Sequence, residues 1–146
     1  LDKLGNWNRL YDEQGFVQYQ FVLPKTAGVE KMRAILTRIV ASGTGSFLAV
    51  LKMFGAQNNN LLSFPILGYT LAVDFKMSAN TITLLRKLDD MIVDMGGRIY
   101  LAKDALMTER TFKATYPQWQ QFEEVRSKYG AIGKFASAQS QRLGLQ

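Results

Sequence analysis

The sequence predicts an α+β domain of ferredoxin-like type. Its elements run β-α-β-β-α-β, with an antiparallel sheet carrying helices on one face, and further helices follow at the C-terminus. Three observations predict this. Short runs of two-residue alternation and longer runs of three- and four-residue apolar spacing succeed one another in that order. The breaks between them are Gly, Pro, Asn and Ser clusters, which end helices or turn the chain. The 146 residues are 47% hydrophobic and 12% aromatic, enough for one domain with a core and too apolar for a disordered chain.

Residues 16–23 read as the first strand, stopped by Pro24. Strand side chains alternate between faces, so Val17, Tyr19 and Phe21 point one way and Gln18 and Gln20 the other. Residues 28–41 read as a helix with Val29, Met32, Leu36, Ile39 and Val40 on one face, broken by Ser42-Gly43-Thr44-Gly45. Residues 47–54 read as the second strand, with Leu48, Val50 and Lys52 on one side, and residues 55–60 as a polar turn. Pro65 to Gly68 punctuates the chain before a third strand, 69–75. There Tyr69, Leu71, Val73 and Phe75 share one face, and Thr70, Ala72 and Asp74 the other.

A helix over 80–95 follows, with Ser78 or Asn80 as N-cap and a stripe of Ile82, Leu85, Leu88, Ile92 and Met95; Gly96-Gly97 ends it. Residues 98–102 read as the fourth strand. Thr108 can cap a short helix that Pro117 interrupts. Residues 118–129 read as helix again, with Phe122, Val125 and Tyr129 inward, and the tail after Gly130 shows no clear period.

Composition narrows the chemistry. The chain has no Cys and no His, which removes disulfides, thiolate nucleophiles, imidazole acid–base work and the usual zinc ligands. Lys, Tyr, carboxylates or a borrowed cofactor remain. The net charge of +6 favours anionic partners, but Lys and Arg are dispersed, so nucleic acid is not expected. No run of eighteen apolar residues occurs. There is no phosphate loop ending in Lys-Ser/Thr and no dinucleotide fingerprint after a strand. Glu123 and Glu124 diverge on a helix and read as a solvated face. Met91 and Met95 read as core, and Trp7 and Trp119 as packing anchors or part of an interface.

With helices on one sheet face, the opposite face presents Gln18, Gln20, Lys52, Thr70, Ala72 and Tyr100. Amides both donate and accept hydrogen bonds, so two on a rigid strand suit the floor of a polar-ligand site. The commoner reading of such a strand is simply one wet face. Lys103 directly follows the fourth strand, where a cation can hold an anionic atom or offset developing negative charge. By position alone Lys103 and Lys52 are equally surface lysines, Tyr100 a packed aromatic, and Asp104 the start of a turn.

Several motifs occur in order: Asn6-Trp7-Asn8-Arg9-Leu10-Tyr11, Gly15 to Phe21, Leu62-Ser63-Phe64-Pro65, Val73-Asp74-Phe75, Gly96 to Asp104 and Thr111 to Pro117. Together they resemble the C-terminal (cap) part of the decaprenylphosphoryl-ribose oxidase-like FAD-linked oxidases, of vanillyl-alcohol-oxidase type, with sugar-lactone oxidases as cousins. The resemblance implies a piece of a longer flavoenzyme that oxidises a CH–OH group of a sugar or lipid-linked phosphosugar. Residues 1–104 would belong to the cap domain, and residues 105–146 would return to an N-terminal FAD-binding domain that lies outside this chain. Tyr100 and Lys103 would lie near flavin and substrate, with Lys103 supporting negative charge. Gln18 and Gln20 would line the sugar pocket, Thr70 and Ala72 would also bind substrate, and Lys52 would reach the polar end of the ligand.

The chain departs from that family in three places. Asn and Cys are frequent where Thr70 and Ala72 stand. Asp-Pro is usual before the Gly-x-Phe that here reads Gly130-Ala131-Ile132-Gly133-Lys134-Phe135, and Asp is common at Ala138. The resemblance further implies a cytoplasmic or membrane-peripheral location, with peripheral membrane contact open. The isolated piece is expected to be inactive, with its bared face available for a homodimer. The other readings are a non-enzymatic ferredoxin-like binding module using its open sheet face, and a lipid-surface or RNA-binding domain driven by charge.

Overall fold

The computed structural model describes residues 15–44 and 48–145. Four strands and five helices alternate through them: β1 (Phe16–Pro24), α1 (Gly28–Ala41), β2 (Ala49–Phe54), β3 (Gly68–Lys76), α2 (Ala79–Asp94), β4 (Arg98–Ile99), α3 (Glu109–Thr115), α4 (Trp119–Lys128) and α5 (Ala138–Arg142). The sheet is antiparallel, in the order β2-β3-β1-β4. This is the arrangement the alternation of periods predicts. The motif at Asn6–Tyr11, with Trp7, and the proposed strand start at Phe47 fall outside the described residues.

The register turns sequence alternation into two chemically different faces. Val17, Tyr19, Phe21 and Leu23 of β1 stand opposite Phe75, Val73, Leu71 and Tyr69 of β3. Most of these join Met32, Ile35 and Ile39 of α1 and Leu84, Leu85, Leu88 and Ile92 of α2 in one apolar core. Phe21, Phe75, Ile35, Leu88 and Ile92 are fully buried, and each contributes roughly 1.5–3 kcal/mol by leaving water. Ser78 caps α2 by accepting from the Thr81 N–H at 3.1 Å, and Gly96, at φ 69°, ends that helical segment in the left-handed region that favours glycine. Among the described residues no helix is long and apolar enough to cross a membrane.

Four expectations need correction. On α1 the buried stripe is Met32, Ile35 and Ile39, while Val29, Leu36 and Val40 are exposed; the seam against the sheet is narrower than the apolar run. On α2, Ile82 and Met95 are only partly buried, and Thr81, Leu84 and Asp89 take inward places beside Leu85, Leu88 and Ile92. On α4, Phe122 packs on the core, but Val125 and Tyr129 face outward. The fourth strand ends at Ile99 rather than Ala102. After the Tyr100 N–H bonds the Gln20 carbonyl at 2.8 Å, the chain curls into a 3-10 turn, Leu101–Lys103, and the Leu101 carbonyl is taken by the Gln139 side chain at 2.7 Å. The tail without a visible period is nevertheless packed: Leu143 and Leu145 belong to the core, as do Phe112 and Tyr116 of the α3 region.

Candidate functional site

The sheet face turned away from the apolar core carries the polar residues. Across it, Gln18 stands opposite Asp74, Gln20 opposite Ala72, Ala72 opposite Val50, and Thr70 opposite Lys52. A small cleft of about 100 Å³ opens there, lined by Gln18, Gln20, Leu48, Val50, Lys52, Thr70, Ala72, Asp74 and Lys103. Six of the seven residues picked out by sequence therefore meet in one place. Sequence placed Asp74 on this face but did not select it. Tyr100, expected on this face, does not line the cleft; its ring stacks on Phe64 with centroids 4.5 Å apart. Phe64 was not selected either; its position in the Leu62–Pro65 motif was the available signal.

Local hydrogen bonds fix which way both amides point. The Thr70 hydroxyl donates to the Phe21 carbonyl at 2.8 Å, so it receives rather than gives toward Gln20, whose Nε2 donates to it at 3.1 Å. Gln18 Nε2 donates to an oxygen of the Asp74 carboxylate at 2.8 Å, and an ionised carboxylate only accepts. Each amide thus spends an N–H on the sheet, and its oxygen remains an acceptor for the cleft. Lys52 and Lys103 are the cationic donors among the lining residues. Such a wall pairs amide oxygens with ligand hydroxyls and ammonium groups with a ligand's anionic or electron-rich atoms. At about 100 Å³ the cleft is well below the 300–1,000 Å³ of ordinary ligand pockets and too small to enclose a ligand by itself.

The wall is closed at the β4 end. Arg98, opposite Val22, is buried, and burial lowers its pKa. Its Nε donates to the Thr115 carbonyl at 2.9 Å and its Nη1 to the Ser63 carbonyl, with the guanidinium 5.1 Å from the Tyr116 ring centroid. The loop after β2 and the end of α3 are thereby held at the sheet's edge.

On the core side, a buried pair sits beneath the same strand. The Tyr19 hydroxyl donates to Asp89 at 2.6 Å. Burial pushes the Asp89 carboxyl up to about 6, and burial followed by the Asp89 charge holds the Tyr19 hydroxyl well above its ordinary value. This pair belongs to the core and does not line the cleft.

Among the described residues no group of three or more acidic side chains is placed to hold a metal ion. Glu124 is exposed as expected, but Glu123 is largely covered and paired with Arg126 at 2.6 Å; Trp119 packs against the core beneath the Lys113 ammonium, 4.2 Å from its ring centroid.

Comparison with known proteins adds the following. The family model described as D-arabinono-1,4-lactone oxidase matches residues 66–143. Decaprenylphosphoryl-beta-D-ribose oxidase of Mycolicibacterium smegmatis is 43% identical over 145 residues, covering 99% of this chain and 31% of that protein. A Streptomyces coelicolor protein, described as uncharacterized and lying in the mprA 5′ region, is 32% identical over 115 residues, covering 78% of this chain and 31% of that protein. The chain thus spans about a third of the length of these curated relatives.

Proposed function

From the premise that this chain belongs to the D-arabinono-1,4-lactone oxidase family, we propose that it forms one wall of the active site of a longer FAD-dependent oxidoreductase, which oxidises a CH–OH group of a sugar or lipid-linked phosphosugar. The observation that carries this reading is the cleft itself. Two oriented amide oxygens and two ammonium groups converge on one rigid sheet face that is too shallow to enclose a ligand alone.

In this reading Gln18 and Gln20 accept hydrogen bonds from sugar hydroxyls, and Thr70 and Asp74 hold them in that orientation. Ala72 leaves room at the floor, and Lys52 reaches the polar end of the ligand. Lys103 lies nearest the reacting carbon and offsets negative charge that develops there. Tyr100, its ring braced by Phe64, would stand near the flavin with Lys103.

The donor set fits the polar edge of a flavin ring, since Lys103 and Tyr100 can face an electron-rich heterocycle. Bound FAD would supply two-electron redox chemistry as hydride acceptor. The described residues offer no phosphate-binding loop for the rest of that cofactor, so we assign its binding to the remainder of the longer protein.

Residues 1–104 then act as cap, and residues 105–146 as the segment that docks toward the FAD-binding domain. The exposed Tyr129, Ile132 and Phe135 support such docking, together with an apolar groove of about 350 Å³ among Leu62, Leu101, Phe122, Phe135 and Leu143.

The test is Lys103→Ala in the full-length protein. Anaerobic mixing with a sugar or phosphosugar donor is followed by loss of the oxidised flavin's visible absorbance. The reading expects the reduction rate to fall by at least about a hundredfold while flavin content stays normal. Wild-type reduction kinetics in this variant would remove Lys103 from the site.

A further inference from the structure

We infer that Gln139 and Arg142, on the C-terminal helix α5, are positioning residues for Lys103, holding the turn that aims it into the cleft; the inference rests on the role given to Lys103 above. The turn has few bonds of its own. The Lys103 N–H reaches the Tyr100 carbonyl at 3.1 Å and the Asp104 N–H the Leu101 carbonyl at 3.3 Å, the poorer geometry of 3-10 winding. Such a turn does not by itself immobilise a side chain at its end.

The restraint comes from thirty-five and more residues away. The Asp104 carboxylate is nearly buried, its side chain 3% exposed. One oxygen accepts from the Leu106 N–H at 3.0 Å and the Met107 N–H at 2.7 Å. The other accepts from Arg142 Nη2 at 2.8 Å and Gln139 Nε2 at 3.4 Å. The same Gln139 nitrogen donates to the Leu101 carbonyl at 2.7 Å, and Arg142 Nη1 donates to the Met107 carbonyl. The helix therefore grips the turn on both sides of Lys103, at Leu101 before it and at Asp104–Met107 after it.

The helix is short and is held in place chiefly by its own cap and by the residues that follow it. It has five residues, too few to persist by propensity, and is held by the Ser137–Ser140 capping box and by burial of Leu143 and Leu145 just beyond. Two of its three long polar side chains, Gln139 and Arg142, are spent inward on the turn. A purely stabilising clasp would have the same bonds but would not tie them to the aim of one lysine.

Two measurements on the full-length protein separate these. The first is amine acylation read by mass spectrometry, with Lys52 on β2 as internal reference. Arg142→Gln should change the Lys103-to-Lys52 labelling ratio severalfold, and Arg142→Lys should return it toward wild type. The second is a double-mutant cycle on flavin reduction. Arg142→Gln should slow reduction about tenfold in the wild-type background and have little further effect beside Lys103→Ala. If Arg142→Gln fails to fold, Gln139→Leu, which leaves the Arg142–Asp104 pair in place, takes its part in both measurements.

An unchanged labelling ratio overturns the positioning role, as does an equal slowing in both backgrounds. A changed ratio together with Lys103→Ala that reduces flavin normally leaves the grip on the turn standing and overturns the catalytic reading of Lys103.

Discussion

Replacing Asp89 by Asn should make the protein more stable at neutral pH and remove a specific part of its pH dependence. Asp89 is 5% exposed, on the inner face of α2, and accepts a hydrogen bond from the Tyr19 hydroxyl at 2.6 Å. Burial is the largest influence on it and raises the carboxyl from 3.8 to about 6; the Tyr19 hydrogen bond pulls the other way without cancelling it. The folded protein therefore binds this proton more tightly than the unfolded chain. In the window between about 4 and 6 the folded state holds more protons, so stability falls as pH rises through it and levels off above. About two pKa units at 1.36 kcal/mol each puts the cost of the ionised carboxylate near 3 kcal/mol at pH 7. Asn keeps the shape and an oxygen for Tyr19 but brings an amide N–H₂ that loses water, a cost of about 1–2 kcal/mol. The expected net gain is about 1–2 kcal/mol at pH 7. Urea unfolding at half-unit steps from pH 4 to 7, compared between the two proteins, reads it directly. Parallel stability curves across that window would refute the argument, whatever their offset.

Three further outcomes follow from particular contacts. Lys103→Ala should abolish most flavin reduction in the full-length protein, as set out above. Gly68→Ala should lower stability by about 2–4 kcal/mol in urea titrations, because an added Cβ would lie 1.9 Å from the Leu23 carbonyl oxygen of the neighbouring strand. Thr70→Val removes both the bond to the Phe21 carbonyl and the acceptor for Gln20; stability should fall by about 1–2 kcal/mol, and in the full-length protein KM for a hydroxyl-rich donor should rise more than kcat falls.

The parts of this molecule that were legible in the sequence are those governed by short periods. Alternation along β1 and β3 separates Phe21 and Phe75 from Gln18, Gln20 and Thr70, and the register keeps them apart as expected. The cleft was legible for the same reason, since a sheet face collects every second residue from adjacent strands. Contacts between distant segments left no local trace. Asp89 sits among helix residues that look solvent-facing, and its partner is 70 positions away; Gln139 and Arg142 meet the turn from 35 to 38 positions away. The apolar run of α1 was misread because periodicity reports which residues are apolar, whereas the sheet decides how wide a stripe is covered. The fourth strand was overextended because Tyr100 and Leu101 have strand propensity, and the withdrawal of the Leu101 carbonyl from the ladder comes from the tail.

The cross-strand bonds under the cleft also govern how its preferences can change. Gln18 answers Asp74, and Gln20 answers Thr70, so the surface is written in couplets across β1 and β3. A new residue at position 18 with no reply at 74 would leave a carboxylate one donor short inside the sheet. If the cleft holds the substrate as proposed, drift toward a different ligand proceeds by matched exchanges on two strands, and an engineer seeking a new substrate would do better to vary these positions jointly than to saturate any one of them.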